Sequence, residues 1–237
     1  GWKPTGWNPP EAQAISEAAH EITPRSMLRR PQFYALWLSF VFLALGGLML
    51  IGINKLYGRD ALLESGAFTD IAAAGAAAST AYAIAFALSN GLGRIGWGFI
   101  ADRIGWRQSM IIMASTQSVL MIGFYYFGGT LVGLYVFLAL TGFNFGGNFA
   151  LFPLATANRF GVKNLGINYG LMFSAYGIGG IAGPIMAGMF KDAGNNEGLS
   201  VWLAPFLIAG ALCMVAVVLI ALAKEPRPEP ITEPVPA

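Results

Sequence analysis

Arg94 sits in the stretch Asn90-Gly91-Leu92-Gly93-Arg94-Ile95-Gly96-Trp97-Gly98-Phe99, a cation inside a strongly apolar region. Two chemistries suit these residue types at this spacing. Gly91, Gly93 and Gly96 fit G-x-G-x-x-G, which in a βαβ unit cradles a pyrophosphate at a helix N-terminus. A lone guanidinium can instead bind a carboxylate through paired N–H bonds. Asn90, one helical turn earlier on the same face, would add an amide donor. The nucleotide reading fails on context. The preceding residues, AAAGAAASTAYAIAFALS, form a membrane helix rather than a strand, and no acidic residue follows at about 20 positions to hold a ribose. The glycines then read as packing surfaces between helices, with Gly91 and Gly98 seven apart on one face.

The elements that must carry Arg94 follow from hydropathy. The chain has 237 residues, 56% of them hydrophobic and only 11% charged. Soluble domains run near 25% charged, so lipid rather than water is the main solvent here. A bilayer core about 30 Å thick needs roughly 20 apolar residues per helix. Runs of that order lie at Phe33 to Ile53, Ile71 to Phe99, Ser109 to Phe127, Leu131 to Ala155, Ile167 to Phe190 and Trp202 to Ala223. They are too long for strands and lack alternation, and in hydrocarbon the backbone must bond within each segment. The predicted fold class is an all-α membrane protein with six transmembrane helices in residues 31–224. Residues 1–30 are predicted to be a cytoplasmic linker with a short helix-like patch at Glu11 to Glu21, and 225–237 a disordered cytoplasmic tail. The chain starts at Gly1, its opening stretch has no apolar core and is not expected to be a signal peptide, and the chain is expected to be part of something longer.

No acidic residue falls within these six runs, so nothing in them neutralises Arg94. A charge at membrane depth costs at least about 2.5–3.5 kcal/mol on insertion scales and is paired or functional. The charged turn from Asp102 to Arg107 begins about 12 Å further along the axis, a long reach for snorkelling. Several chemistries are excluded by supply. Cys213 is the single cysteine and lies in an apolar run, and the single histidine, His20, lies in the polar lead-in. That leaves no cofactor, no metal set and no catalytic set for a membrane enzyme. A net charge of +2 gives no reason to expect nucleic acid.

Lysine and arginine placement predicts orientation. Lys3, Arg25, Arg29, Arg30, Arg103, Arg107, Arg159, Lys163, Lys224 and Arg227 fall on one side, against Lys55, Arg59 and Lys191 on the other. Both termini are therefore expected in the cytoplasm, with the loops near 60 and 195 outside. Tyr169, Met172 and Tyr176 share a helical spacing and are expected to face one cavity. Asn144 and Asn148, four apart in an apolar run, are expected to face the bundle interior. Gly177, Gly179, Gly180, Gly183 and Pro184 suggest a closely packed, bent helix.

After Arg94 comes GFIADRIGWRQSM, residues 98–110. Gly98, Asp102, Arg103, Gly105 and Arg107 resemble the loop signature of the major facilitator superfamily, with Trp106 where a basic residue is common. GWKPTGWNPP, TPRSMLRRPQFYALW, NGLGRIGWGFIADRIG and GFNFGGNFALFP resemble the second half of its oxalate/formate antiporter family, which is related to monocarboxylate transporters. The resemblance covers nearly all the chain except the tail. It implies a half-bundle, helices seven to twelve, whose partners are a missing N-terminal six-helix half, the bilayer of a bacterial-type plasma membrane and a small carboxylate. It implies that Arg94 holds the carboxylate and that Asn90 tunes it. Phe145 occupies a pocket position that is often tyrosine, and Tyr176 lies near a lysine of oxalate transporters. The signature loop is implied to gate. One cation in place of two suits a monocarboxylate better than a dianion. The expected activity is alternating-access transport, by antiport or proton symport, of an acid such as formate, oxalate, lactate or pyruvate. The competing expectation is a non-transporting subunit or receptor on the same half-fold.

Overall fold

A computed structural model describes residues 21–194 and 198–223; the expected patch at 11–21, apart from Glu21, and the tail from 224 lie outside them. Among the described residues there are helices and turns but no strand. A single turn, α1 (Pro24–Met27), is capped by Thr23, whose side chain accepts from the Ser26 N–H at 3.4 Å. Then come α2 (Pro31–Glu64), α3 (Ile71–Ala81), a π-helical turn (Tyr82–Phe86), α4 (Ala87–Ile104), α5 (Trp106–Phe127), α6 (Leu131–Phe160) and α7 (Leu165–Ala193). A 3-10 turn (Ser200–Trp202) leads into α8 (Leu203–Leu222). Among the described residues, six spans are long and apolar enough to cross a membrane, with α3, the π turn and α4 forming one of them.

The six apolar runs locate these spans, but α2 continues eleven residues past its predicted end at Ile53, to Glu64. Lys55, Arg59 and Asp60 interrupt the hydropathy, yet Tyr57, Ala61 and Leu62 continue a fully buried stripe. The Tyr57 hydroxyl donates to the Phe124 carbonyl at 2.6 Å, joining this extension to α5. The extension also brings an acid into a membrane-capable helix. Asp60 accepts from Arg59 Nη2 at 2.6 Å, from Trp202 Nε1 at 2.9 Å and from Lys191 Nζ at 3.2 Å. Lys191 Nζ in turn lies 4.6 Å from the Trp202 ring centroid. Two cations and an indole donor offset the desolvation of this buried carboxylate. The cluster joins the ends of α2 and α7 to the 3-10 turn.

Glycines set the closest helix contacts. A Cβ at Gly179 would lie 2.7 Å from the Val41 carbonyl oxygen, and one at Gly183 2.5 Å from that of Leu45. These two glycines let α7 lie along α2, and α7 stays a single helix through Pro184. Gly177 has open space around it. On α4 the packing face differs from the predicted one. Gly91 and Gly98 meet nothing, whereas a Cβ at Gly93 would collide with the backbone of Phe143 and one at Gly96 with its ring. The seven-residue spacing correctly marked a shared face, but that face is the open one; α6 lies against the Gly93 face.

Some polar groups within the spans tie helices together, while the Oδ1 atom of Asn148 has no hydrogen-bond partner among the described residues. The Ser118 hydroxyl donates to the Gly210 carbonyl at 2.7 Å, tying α5 to α8. Asn144 Nδ2 donates to Thr116 Oγ1 at 3.0 Å, tying α6 to α5. Asn144 and Asn148 are both buried, as hydrocarbon solvation requires.

Candidate functional site

The Asn90–Arg94 turn is fixed by a close crossing of α4 and α6. A Cβ at Gly146 would collide with the Asn90 carbonyl and come within 3.2 Å of the Arg94 amide nitrogen. Backbone therefore rests on backbone directly beneath both residues. Three residues further along α6, Phe149 reaches under the guanidinium, with Arg94 Cζ 4.4 Å from its ring centroid. A cation over a ring face gains about 0.5–1 kcal/mol when exposed and more when desolvated. The guanidinium carries five N–H donors in one plane.

Arg94 is exposed, and it forms no ion pair or hydrogen bond with another described residue. Asn90 is half-buried, and its Oδ1 has no partner among the described residues. The turn thus carries an uncommitted guanidinium and, one turn earlier, an amide whose buried oxygen has no partner among the described residues.

Aromatic rings from two elements, α6 and α7, line that face. Phe149 lies 5.5 Å from Tyr176, and Tyr176 stacks on Phe173 at 5.1 Å with planes 10° apart. Tyr169 extends the row, 5.7 Å from Phe173. Tyr169 and Tyr176 are both within electrostatic reach of Arg94. The row predicted on α7 is therefore corrected at one position. Tyr169 and Tyr176 share the face with Phe173, because Met172 is turned fully into the core.

Phe145 is 3% exposed and wedged against Gly47, where any Cβ would collide with its ring. It touches the row from behind, 5.6 Å from Phe149 and 6.3 Å from Tyr176. Phe149 and Phe173 were missed by the sequence reading. The i, i+4 pair Phe145 and Phe149, and the placement of Phe173 between two tyrosines, were the available signals. The π turn was missed as well. It carries Tyr82, which stacks on Phe86 at 5.0 Å, and Phe86 lies 5.7 Å from Phe145. π turns inside α-helices often mark functional sites.

At the far end of α4, Gly105 adopts φ 84°, a left-handed value that glycine takes without strain, and links α4 to α5. Asp102 and Arg103 are exposed, and Arg103 Cζ lies 4.3 Å from the Phe99 ring centroid. Arg107 reaches across to the last turn of α8, donating to the Ile220 carbonyl at 3.5 Å and to that of Ala221. Cations at a helix C-terminus bond its unpaired carbonyls and offset its dipole. Trp106, which takes the place of a basic residue in the motif, is 7% exposed and belongs to the core. Gly98 has open space around it.

The family profile described as Major Facilitator Superfamily matches residues 61–237. The oxalate:formate antiporter of Oxalobacter formigenes is 31% identical over 191 residues, covering 80% of this chain and 42% of that protein. Apicoplast pyruvate carrier 1 of Toxoplasma gondii is 28% identical over 215 residues, 89% of this chain and 37% of the carrier. Monocarboxylate transporter 14 of Homo sapiens is 31% identical over 114 residues, 48% of this chain and 21% of that protein. The chain spans about two fifths of the length of the first two.

Proposed function

The chain belongs to the major facilitator superfamily, and from that premise we propose that it is the second half of a secondary transporter for small organic carboxylates, with Arg94 as the carboxylate-binding residue. Relatives named for oxalate and formate, for pyruvate and for monocarboxylates support the class of substrate. The observation that carries the proposal is Arg94 itself. It lies on an open helix face with its planar donors uncommitted, backed by an aromatic ring and with no acidic partner among the described residues.

In this reading the carboxylate takes the two parallel N–H bonds of the guanidinium, and Asn90 adds an amide contact one turn away. Tyr176 offers a hydroxyl on the opposite wall, and Phe145 supports the aromatic row from behind. An N-terminal six-helix half, absent from this chain, closes the site, which then alternates between the two sides of the membrane. The turn from Gly98 to Arg107 moves with α4 and α5 and takes part in closing the cytoplasmic side. A single cation favours a monocarboxylate over a dianion on charge matching alone.

The test is uptake of formate, oxalate, lactate and pyruvate by the full-length protein in proteoliposomes. An imposed pH gradient or a preloaded counter-anion distinguishes symport from antiport. Arg94→Ala and Arg94→Lys are expected to abolish uptake, because lysine offers a point charge in place of a planar fork. Both variants should reach the membrane at normal levels. Wild-type uptake by either one would remove Arg94 from the mechanism.

A further inference from the structure

The residues leading into α2 form a polar hollow that shares no lining residue with the Arg94 face. Its walls are Thr23, Arg25, Ser26 and Arg29, and its volume is about 420 Å³. The segment that carries it is held to the bundle. The Ile22 N–H donates to the Phe160 carbonyl at 3.0 Å, and the Ile22 carbonyl accepts from Asn168 Nδ2 at 3.0 Å and Asn164 Nδ2 at 3.4 Å. Glu21 accepts from the Lys163 N–H at 2.8 Å. Ile22 and Met27 are both buried in the core, Met27 completely. With Met27 turned inward, Arg25 and Arg29, four residues apart, stand exposed on the outer side of the same turn.

Neither guanidinium has an ion-pair or hydrogen-bond partner among the described residues. The carboxylate nearest in sequence, Glu21, is engaged by the α6–α7 connection. The hollow therefore combines two guanidiniums and two hydroxyls with no acidic wall. That donor set suits a phosphate oxyanion, which guanidinium binds bidentately. Position indicates where the phosphate comes from. α2 begins at Pro31, two residues after Arg29, and runs into the hydrocarbon, so the hollow lies at headgroup depth. Arginines clustered beside a membrane helix attract anionic lipids. The walls hold no carboxylate to receive the ammonium of a zwitterionic headgroup, which favours a lipid with net negative charge.

We propose that Thr23, Arg25, Ser26 and Arg29 form a binding site for the phosphate of an anionic phospholipid headgroup where α2 enters the bilayer. The site is built from side chains on a turn held rigid by the Ile22 and Met27 contacts. It does not depend on which side of the membrane the turn faces, or on Arg94.

The experiment uses the full-length protein in phosphatidylcholine nanodiscs containing spin-labelled phosphatidylglycerol or spin-labelled phosphatidylcholine. Motionally restricted phosphatidylglycerol is expected to exceed phosphatidylcholine, and each of Arg25→Gln and Arg29→Gln should lower that preference roughly fivefold. Arg25→Lys and Arg29→Lys should keep part of it, since charge remains without the fork. Melting curves in detergent check that Arg25→Gln and Arg29→Gln are each folded. A phosphatidylglycerol preference unchanged in folded glutamine variants overturns the proposal. Inorganic phosphate is titrated in parallel. Phosphate binding that Arg25→Gln and Arg29→Gln remove, while labelled lipid association stays unchanged, assigns the site to the free ion and equally overturns the lipid assignment.

Discussion

At the residue scale, the difference between one cation and two organises the proposed site. Arg94 is the cation of the aromatic face, and Tyr176 stands across from it on α7, 5.5 Å from the Phe149 ring on which the guanidinium rests. A lysine at 176 would place a second positive charge beside the first. Two like charges raise the free energy of the empty site and are relieved by a dianion more than by a monoanion. Tyr176→Lys is therefore expected to raise the oxalate-to-formate uptake ratio on the order of tenfold, a shift of about 1.4 kcal/mol, while lowering formate uptake itself. Competition of the two acids for uptake of labelled formate measures the ratio. An unchanged ratio in a protein that still transports would detach Tyr176 from substrate selection. Arg94 and Asn90 were legible in the sequence because an unpaired charge in an apolar run is costly and conspicuous. Phe149 and Phe173 were not, because an aromatic in a membrane helix has the same hydropathy whether it faces lipid, core or cavity.

At the scale of elements, hydropathy located the spans and left their faces undetermined. The end of α2 was misplaced because Lys55, Arg59 and Asp60 read as a water-exposed boundary, whereas Asp60 finds Lys191 and Trp202 on elements more than a hundred residues away. No local signal carries that pairing. The π turn was hidden for a related reason: it occurs where Gly142 admits α6 so closely that a Cβ there would lie 2.6 Å from the Phe86 carbonyl oxygen. Which glycines of NGLGRIGWGF touch a neighbour likewise depends on where α6 lies. Gly93→Ala is expected to destabilise the bundle by about 1–3 kcal/mol, since the new methyl meets backbone that cannot swing aside. Gly91→Ala meets nothing within 4 Å and is expected to leave stability unchanged or slightly raised. Thermal unfolding of the two variants in one detergent separates them. Equal melting temperatures would mean that α4 and α6 do not cross at Gly93.

At the scale of the whole molecule, the proposed transporter would use the open face of α4 and the aromatic row of α7 as one half of a two-half machine, and that use depends on orientation in the membrane. The excess of lysine and arginine beside the α4–α5 and α6–α7 connections, with α1 held against the latter, proposes that this end of the bundle is cytoplasmic. The Asp60 cluster would then pin the outer ends of α2 and α7, so that these helices tilt as one body while the cytoplasmic ends move. Within this chain the one cysteine, Cys213, is fully buried, and the test uses the full-length protein with any cysteine outside the chain replaced. Thr69 and Val162 are both exposed, in the α2–α3 and α6–α7 connections. In intact cells, a membrane-impermeant maleimide is expected to label Thr69→Cys and to leave Val162→Cys unmodified until the membrane is permeabilised. The reverse pattern would invert the bundle. Arg107 and the lead-in arginines would then face outward, and the signature turn would close the outer side of the site instead of the inner one.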